Sequence, residues 1–138
     1  MHEVVEYKQV TGYPAERFVA NLANCIAQAG SPMNFAWNNK VLAIVVDGAV
    51  VAAIAYNHVE WQRKLYVDLG GVAPEWRRQG LYRRLWERLV ERARELDCPT
   101  IESSYPVHNT ASAAMHVALG RPVVAHVTRF VVPAKEQP

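Results

Sequence analysis

The sequence predicts an α/β fold with a mixed, mostly antiparallel central sheet, one parallel strand pair and helices on both faces. Three observations predict it. Residues 41–72 carry three apolar strand patterns separated by short turns. An amphipathic helix pattern follows over residues 81–97, and another strand pattern covers residues 100–107. Because a strand, a crossover helix and a second strand form a parallel pair, the strands that end at Val72 and begin at Thr100 should be neighbours.

The N-terminal part of the chain predicts one strand and one helix. Residues 3–10 mix Val, Tyr and charged side chains, as a first strand does. Pro14 suits the first position of a helix, and apolar residues recur at helical spacing over residues 14–29. Residues 31–40 have little periodicity but contain three large apolar side chains. They indicate either a loop that covers the core edge or a flap at a binding site.

An Asp-Gly dipeptide at residues 47–48 is the strongest hairpin signal in the chain. It joins the strand pattern of residues 41–46 to that of residues 49–60. A second turn at residues 61–63 leads into the strand of residues 64–72. The three strands therefore predict an antiparallel meander.

The remaining elements are two helices and a last strand. Arginines and glutamates share one side of the helix over residues 81–97, which is typical of a solvated face with ion pairs along the helix. Asn109 suits the N-cap of the following helix, and Gly120 ends it. Residues 122–132 form a last strand pattern that is apolar on both sides. That pattern indicates burial against another subunit or against the helices.

Length and composition restrict the kind of protein that the chain can form. We expect a single domain over residues 1–138, because 138 residues with 51% hydrophobic and 20% charged side chains are typical of one globular domain. A net charge of +2 is no argument for nucleic acid binding. Cys25 and Cys98 lack metal-ligand spacing, so we expect neither a metal nor a disulfide. We find no signal-peptide pattern and no apolar run of membrane length, and we expect a cytoplasmic protein without a membrane partner.

The junction between residues 65–72 and the helix that starts at Leu81 predicts an anion site. The first turn of a helix has backbone N–H groups without an internal acceptor, and the helix dipole adds partial positive charge there. Gly80 lets the backbone approach a phosphate closely because it has no Cβ. Four arginines add charge, namely Arg77, Arg78, Arg83 and Arg84. Taken alone, the same turn also fits an ordinary loop before a surface helix with a solvated basic face.

Residues 77–81 (Arg-Arg-Gln-Gly-Leu) resemble the coenzyme A signature of the GNAT family of N-acetyltransferases, (Arg/Gln)-x-x-Gly-x-(Gly/Ala). Residues 109–120 are similar to the family pattern Asn-x-x-(Ala/Ser)-x-x-x-(Tyr/His)-x-x-x-Gly. The close match covers residues 65–120. Two positions depart from the family. Tyr82 stands where Gly or Ala is usual, and Arg121 follows the last Gly where an aromatic residue is common.

The resemblance implies an acetyl-CoA-dependent N-acetyltransferase that transfers an acetyl group to a primary amine by direct transfer in a ternary complex. It implies acetyl-CoA as co-substrate, no metal, and a small-molecule or peptide amine as acceptor, with residues 31–40 near the acceptor. The strands that end at Val72 and begin at Thr100 would splay apart to admit the pantetheine arm. The residues expected at the coenzyme are Gly71, Val72, Arg77, Arg78, Gln79, Gly80, Leu81, Tyr82, Asn109 and Ser112.

The same resemblance directs attention to the end of the strand before the basic turn. A backbone N–H of Gly71 or Val72 would stabilise the oxyanion that forms during acyl transfer. The adjacent glycines Gly70 and Gly71 would allow a bulge or a close approach by ligand. A loosened strand end is the alternative interpretation.

Acid and base candidates follow from the predicted strand pair. His116 stands where the resembled family often has the Tyr that protonates the leaving thiolate, and Tyr82 and Tyr105 are alternative donors. Asp68 and Glu102 lie on the two strands that would flank the coenzyme and are the candidate bases. The alternatives are an ordered water as base, two solvent-facing strand carboxylates, and a His116 with a structural role only.

Two other functions and an oligomer are alternatives to a monomeric enzyme. A non-catalytic sensor or complex subunit that binds coenzyme A or acyl-CoA is the main alternative, because Tyr82 replaces a small residue and no base is obvious. Docking of RNA or DNA is disfavoured because glutamates interrupt the basic helix face. The doubly apolar strand over residues 122–132 makes a homodimer possible.

Overall fold

The computed structural model describes residues 3–7, 40–105 and 109–135. The chain divides into two compact units, Met1–Pro106 and Val107–Pro138. The predicted helix over residues 14–29 and nearly all of the predicted flap lie outside the described residues.

The first unit is built on a five-stranded sheet in the order β1-β2-β3-β4-β5. Its strands are β1 Val4–Tyr7, β2 Lys40–Val46, β3 Ala49–Val59, β4 Lys64–Val72 and β5 Thr100–Ser103. The first three junctions are antiparallel and the β4–β5 junction is parallel. The predicted mixed sheet with one parallel pair is confirmed. The last strand of the pair is shorter than predicted, since it ends at Ser103.

The β2–β3 hairpin turns where the Asp-Gly dipeptide predicts it. Asp47 and Gly48 have φ angles of 50° and 78°, and positive φ at both central residues is the geometry of a tight hairpin turn. Arg63 also has a positive φ, at the end of the short 3₁₀ turn that joins β3 to β4. These local conformations set the antiparallel meander.

Helix α1, Leu81–Glu95, covers one face of the sheet with its apolar side. Leu81, Leu85, Leu89 and Ala93 are buried at helical spacing. The side chains of the sheet that share this core include Leu42, Ile44, Ile54, Tyr56, Leu65 and Val67. The opposite charged face carries the predicted ion pairs, such as Arg92 with Glu95 at 2.9 Å.

A β-bulge at Asp68 changes the register of β4. Ala55 of β3 lies opposite Leu69, but the next residue, Tyr56, lies opposite Val67, so Asp68 is an extra residue. A bulge shifts the alternation of side chains by one position. Leu65 and Val67 face the core before the bulge, and Val72 packs against the same core after it. The bulge therefore lies at Asp68 and not at the adjacent glycines, where the sequence suggested one.

The second unit contains helix α2, Thr110–Ala118, and residues 121–135, which have no regular secondary structure. The Asn109 side chain accepts a hydrogen bond from the Ser112 N–H at 3.1 Å, which confirms the predicted N-cap. Gly120 follows the helix with a φ of 71°. The predicted last strand over residues 122–132 is not present, because this segment has no strand partner within the described parts of the chain. No helix in those parts is long and apolar enough to span a bilayer.

Candidate active site

Strands β4 and β5 pair over only part of their length. The parallel register joins Lys64 to Thr100 and ends where Val67 meets Ser103. Strand β4 continues to Val72 and pairs there with β3 alone among the described strands. Within the described residues, the backbone edge of residues 68–72 is thus open, and we call the gap between this edge and the end of β5 the wedge. A wedge of this kind can accept an extended ligand as if it were an added strand.

The direction of each backbone group along this edge follows from one hydrogen bond. The Ala73 N–H donates to the Val51 carbonyl at 2.8 Å, so Ala73 faces β3. Because consecutive residues of a strand point their backbone groups to opposite sides, Val72 faces the wedge and Gly71 faces β3. The side chain of Arg77 donates from Nε to the Val72 carbonyl at 3.1 Å, as this direction requires. Of the two candidate oxyanion donors, Val72 has the suitable direction.

The loop after β4 has the conformation of an anion cradle. A 3₁₀ turn, Pro74–Trp76, leads to Arg78 and Gly80, which have φ angles of 62° and 74°. Residues 77–80 are exposed, and the first turn of α1 contains no acidic side chain. A Cβ on Gly80 would meet no atom within 4 Å, so the space above the loop is open. The loop therefore fits a pyrophosphate, which its backbone N–H groups and arginines would hold.

Tyr82 directs its ring away from this loop and toward β4. A Cβ built on Gly70 would lie 2.9 Å from both Cε2 and Oη of Tyr82. The ring therefore occupies the place that a side chain at residue 70 would fill, and it packs at the margin of the core. Leu81 buries its side chain in that core, so only its backbone is available to a ligand.

The carboxylate of Asp68 is held at the narrow end of the wedge. Asn57 of β3 donates from Nδ2 to Oδ2 of Asp68 at 2.7 Å. Asp68 is the first residue of β4 beyond its pairing with β5. Asn57 could not be identified from the sequence, because it meets Asp68 only through the pairing of β3 with β4. Its one signal was an amide side chain directly after the apolar run of β3.

The second candidate base has a different environment. Glu102 of β5 forms an ion pair with Lys64 of β4 at 3.3 Å. The pair spans the paired part of the two strands. Glu102 thus lies where β4 and β5 are paired, whereas Asp68 lies where the two strands cease to pair. Just beyond β5, the hydroxyl groups of Tyr66 and Ser104 share a hydrogen bond of 2.9 Å, next in sequence to Tyr105.

His116 lies in the second unit, on α2. Its Nδ1–H donates to the Ser112 carbonyl at 2.6 Å, one helical turn earlier. Burial lowers the pKa of the His116 imidazole, and the hydrogen bond to Ser112 opposes that shift. The neutral tautomer that results presents Nε2 as an acceptor. Asn109 and Ser112, both expected at the coenzyme, bond to each other as the cap of this helix.

A comparison with family models decides the family. The model of the Acetyltransferase (GNAT) family matches residues 9–120. The chain belongs to the GNAT acetyltransferase family. This GNAT chain is an acetyl-CoA-dependent N-acetyltransferase by family, and acetyl-CoA is its co-substrate. Within the described residues, no group of three or more His, Cys, Asp or Glu side chains could hold a metal ion.

Solved structures of acetyltransferases match nearly the whole length of the chain. An aminoglycoside acetyltransferase from an uncultured soil metagenomic sample has a TM-score of 0.72 at 18% identity, over 98% of this chain and 99% of that chain. The aminoglycoside N-acetyltransferase AAC(6')-Iy in complex with CoA has a TM-score of 0.66 at 16% identity, over 96% and 100%. The ribosomal-protein-alanine N-acetyltransferase from Brucella melitensis biovar Abortus 2308 has a TM-score of 0.66 at 17% identity, over 96% and 99%. No curated protein matches this GNAT sequence.

Proposed function

We propose that this protein acetylates a primary amine of a small molecule by direct attack while acetyl-CoA and the acceptor are bound together. The observation that carries the proposal is the wedge between β4 and β5, with Asp68 at its narrow end and the Val72 N–H along its open edge. Residues 68–80 are one continuous segment of chain. They supply the carboxylate, the backbone donor and the basic loop.

The basic loop would hold the coenzyme by its pyrophosphate. The backbone of Gly80 and of the first α1 turn supplies N–H donors, and Arg77, Arg78 and Gln79 lie exposed beside them. When bound, acetyl-CoA supplies an activated acetyl thioester. The Val72 N–H would then stabilise the oxyanion at the thioester carbonyl, a contribution of about 3–4 kcal/mol in related acyl chemistry.

Asp68 is proposed to remove the proton that makes the acceptor unreactive. An alkylammonium has a pKa of about 10.4, so the acceptor arrives protonated at neutral pH and must lose a proton before it can attack. The Asp68 carboxylate would accept this proton, directly or through a water. Asn57 holds the carboxylate in place through its 2.7 Å hydrogen bond. Glu102 is the weaker candidate because Lys64 neutralises its charge.

The leaving thiolate also needs a proton, and Tyr105 is proposed to supply it. Tyr105 follows β5 by two residues and carries an O–H donor. The neutral tautomer of His116 has its single N–H engaged with the Ser112 carbonyl. His116 therefore remains the second candidate for the proton donor. Asn109 and Ser112 are proposed to contribute by capping the helix that carries His116.

A cationic small molecule is the proposed acceptor class. The fold is shared with two aminoglycoside acetyltransferases, and a carboxylate at the wedge attracts an ammonium group. A peptide amine is the other class to be tested, because a ribosomal-protein-alanine N-acetyltransferase also shares the fold.

The test has two stages. A thermal melt with acetyl-CoA should show stabilisation of about 2.7 kcal/mol at one hundred times Kd, whereas ATP should give a smaller shift. Release of free thiol is then measured with an aminoglycoside, a polyamine and a dipeptide as acceptors. Asp68→Asn should lower kcat on the order of 100-fold, while Asp47→Asn, in the exposed hairpin turn, should not. Coenzyme binding without thiol release from any amine would contradict the proposed transfer.

A further inference from the structure

Two side chains of β4 reach across to the chain of β5 on the sheet face that is turned away from α1. Leu65 and Val67 belong to the core that α1 covers. Because side chains alternate along a strand, Lys64 and Tyr66 lie on the other face. Both make polar contacts there with the neighbouring chain. These two side chains therefore bridge the parallel pair from the face opposite α1.

Both bridges lean forward along the strands. Tyr66 is the ladder partner of Glu102, yet its hydroxyl shares a hydrogen bond of 2.9 Å with Oγ of Ser104, two residues further on. Lys64 is the ladder partner of Thr100, and its Nζ lies 3.3 Å from Oε1 of Glu102, again two residues further on. Side chains in strands commonly lean along the strand direction. The Tyr66 ring thus extends past its own ladder partner toward the point where pairing stops.

The hydrogen bond between Tyr66 and Ser104, which we call the clasp, joins the two chains at the narrow end of the wedge. Pairing of the backbones ends where Val67 meets Ser103, and Ser104 is the next residue. A pantetheine arm that enters the wedge from the basic loop would approach the clasp with its acyl end first. The clasp therefore stands at the end of the path that the acyl chain would follow.

The clasp also stands beside the proposed base. Asn57 is the antiparallel ladder partner of Tyr66, and its side chain donates to Asp68 at 2.7 Å. Ladder partners share a face of the sheet, so the side chains of Tyr66, Asn57 and Asp68 lie on the same face. An amine that gives its proton to Asp68 would attack the thioester carbonyl close by. The alkyl part of the acyl group would then have the clasp as its neighbour.

We propose that the clasp limits the transferred acyl group to a short chain, so that acetyl is accepted and longer acyl groups are rejected. The proposal rests on the proposed binding of the thioester in the wedge. The hydrogen bond matters because it fixes a rotatable ring across the gap, and without it the ring can turn aside into another rotamer. A steric limit of this kind discriminates by roughly 10-fold to 200-fold per methylene group.

Binding of an acyl-CoA series tests the clasp without any acceptor amine. Thermal shifts titrated with acetyl-, butyryl- and hexanoyl-CoA give the Kd of each. The wild-type protein should bind butyryl-CoA at least about 10-fold more weakly than acetyl-CoA, and hexanoyl-CoA more weakly still. Tyr66→Ala removes the ring and should bring the Kd values for acetyl- and butyryl-CoA to within about threefold of each other.

The hydrogen bond itself is tested from both of its ends. Tyr66→Phe and Ser104→Ala should each give a ratio of Kd values between those of the wild type and Tyr66→Ala. The double variant should have the same ratio as either single variant, because all three lack the same bond. Lys64→Met, which removes the neighbouring bridge, is the matched control and should keep the wild-type ratio. Urea denaturation checks that each variant is folded, and Ser104→Ala decides the matter if Tyr66→Ala does not fold.

Three results would overturn the proposal. They are equal binding of acetyl- and hexanoyl-CoA by the wild type, a wild-type ratio in every clasp variant, and an equal change of the ratio in Lys64→Met. Failure of the proposed transfer is a separate result, because it is seen as absence of thiol release from every amine while the Kd values still report on the clasp. Absence of any thermal shift with acetyl-CoA would contradict both proposals.

Discussion

The ring of Tyr82 lies against the Cα atom of Gly70, so that a Cβ at residue 70 would come within 2.9 Å of Cε2 and Oη. Tyr82 stands where the family signature has a small residue, and Gly70 stands in a strand, where glycine is uncommon. The two departures from the usual pattern fit each other. The large side chain of Tyr82, in the first turn of α1, is accommodated by the missing side chain of Gly70, and the space over Gly80 stays open.

Gly70→Ala tests this fit. The new methyl group should displace the Tyr82 ring and lower the free energy of unfolding by about 1–2 kcal/mol, the usual cost of overpacking. The ring is the end of a rotatable side chain, so a larger loss is not expected. Urea denaturation of Gly70→Ala, Tyr82→Ala and the double variant measures the coupling. An interaction free energy near zero would contradict the contact, since residues in contact couple by at least about 0.5 kcal/mol.

Gly80→Val should abolish coenzyme binding, and Gly48 provides its matched control. Both glycines have a positive φ, 74° and 78°, and a Cβ on either would meet no atom within 4 Å. Valine therefore causes the same kind of backbone strain at both positions and should destabilise each protein by about 1–2 kcal/mol or more. Only Gly80→Val should lose the thermal shift with acetyl-CoA. Equal shifts in both variants would remove the phosphate role from the loop.

Asn57→Asp should move the pH dependence of the reaction. A second carboxylate beside Asp68 disfavours the ionised form of both, so the acid limb of the kcat profile should shift to higher pH. Asn57→Ala should instead lower kcat about tenfold at neutral pH, less than loss of a base. That deficit should shrink as the pH rises, because the acceptor is then deprotonated in solution. An Asn57→Asp profile identical to wild type would show that Asp68 does not accept the proton.

Tyr56 links the sheet core to the ends of β1 and α1. Its hydroxyl donates to Oε1 of Glu6 at 2.7 Å, and the same oxygen lies 3.3 Å from Nε of Arg92. Burial, and then the hydrogen bond to Glu6, raise the pKa of Tyr56 well above its ordinary value. Tyr56→Phe leaves the pair of charges in place but removes the donor. The free energy of unfolding should fall by about 1.5–3 kcal/mol at neutral pH.

Tyr56→Phe should also change how the free energy of unfolding depends on pH in the alkaline range. The unfolded phenol ionises near pH 10 and the folded phenol at a higher pH. The stability that the neutral phenol contributes is present below about pH 10 and is lost as the pH rises toward the folded pKa. Tyr56→Phe should lack this loss, whereas Tyr66→Phe, which removes a more exposed hydroxyl, should retain it. Urea denaturation between neutral and alkaline pH distinguishes the two.

The pH profile of kcat also decides the role of His116. Burial lowers the pKa of His116, which favours the neutral imidazole, and its Nδ1–H is engaged with the Ser112 carbonyl. We therefore expect no loss of kcat as the pH rises through that pKa, and the same profile shape in His116→Gln. An alkaline limb that is present in the wild type and absent from His116→Gln would restore His116 as the acid. His58→Gln is the control for a general effect of removing histidine.

Much of the fold could be predicted, because its elements depend on residues close together in the chain. The Asp47–Gly48 turn, the apolar spacing of α1 and the Asn109 cap each act within one turn of backbone, and all three were confirmed. The parallel pair followed from the order of strand, helix and strand. The strand over residues 122–132 was wrong, since a strand needs a partner that the described chain does not provide.

The loop proposed to bind the pyrophosphate could be located from local sequence for the same reason, since Gly80 and the first turn of α1 form it without a distant partner. The wedge could not be predicted from local sequence. An extra residue at Asp68 decides which side chains of β4 face the core, and that residue is visible only in the register with β3. The pairing of β3 with β4 also brings the Asn57 side chain within hydrogen-bond distance of Asp68, turns Val72 toward the wedge and puts Gly70 beneath Tyr82. Local patterns determine the elements, whereas contacts between strands and helices distant in sequence determine the site, because a one-residue shift in pairing exchanges the two faces of a strand.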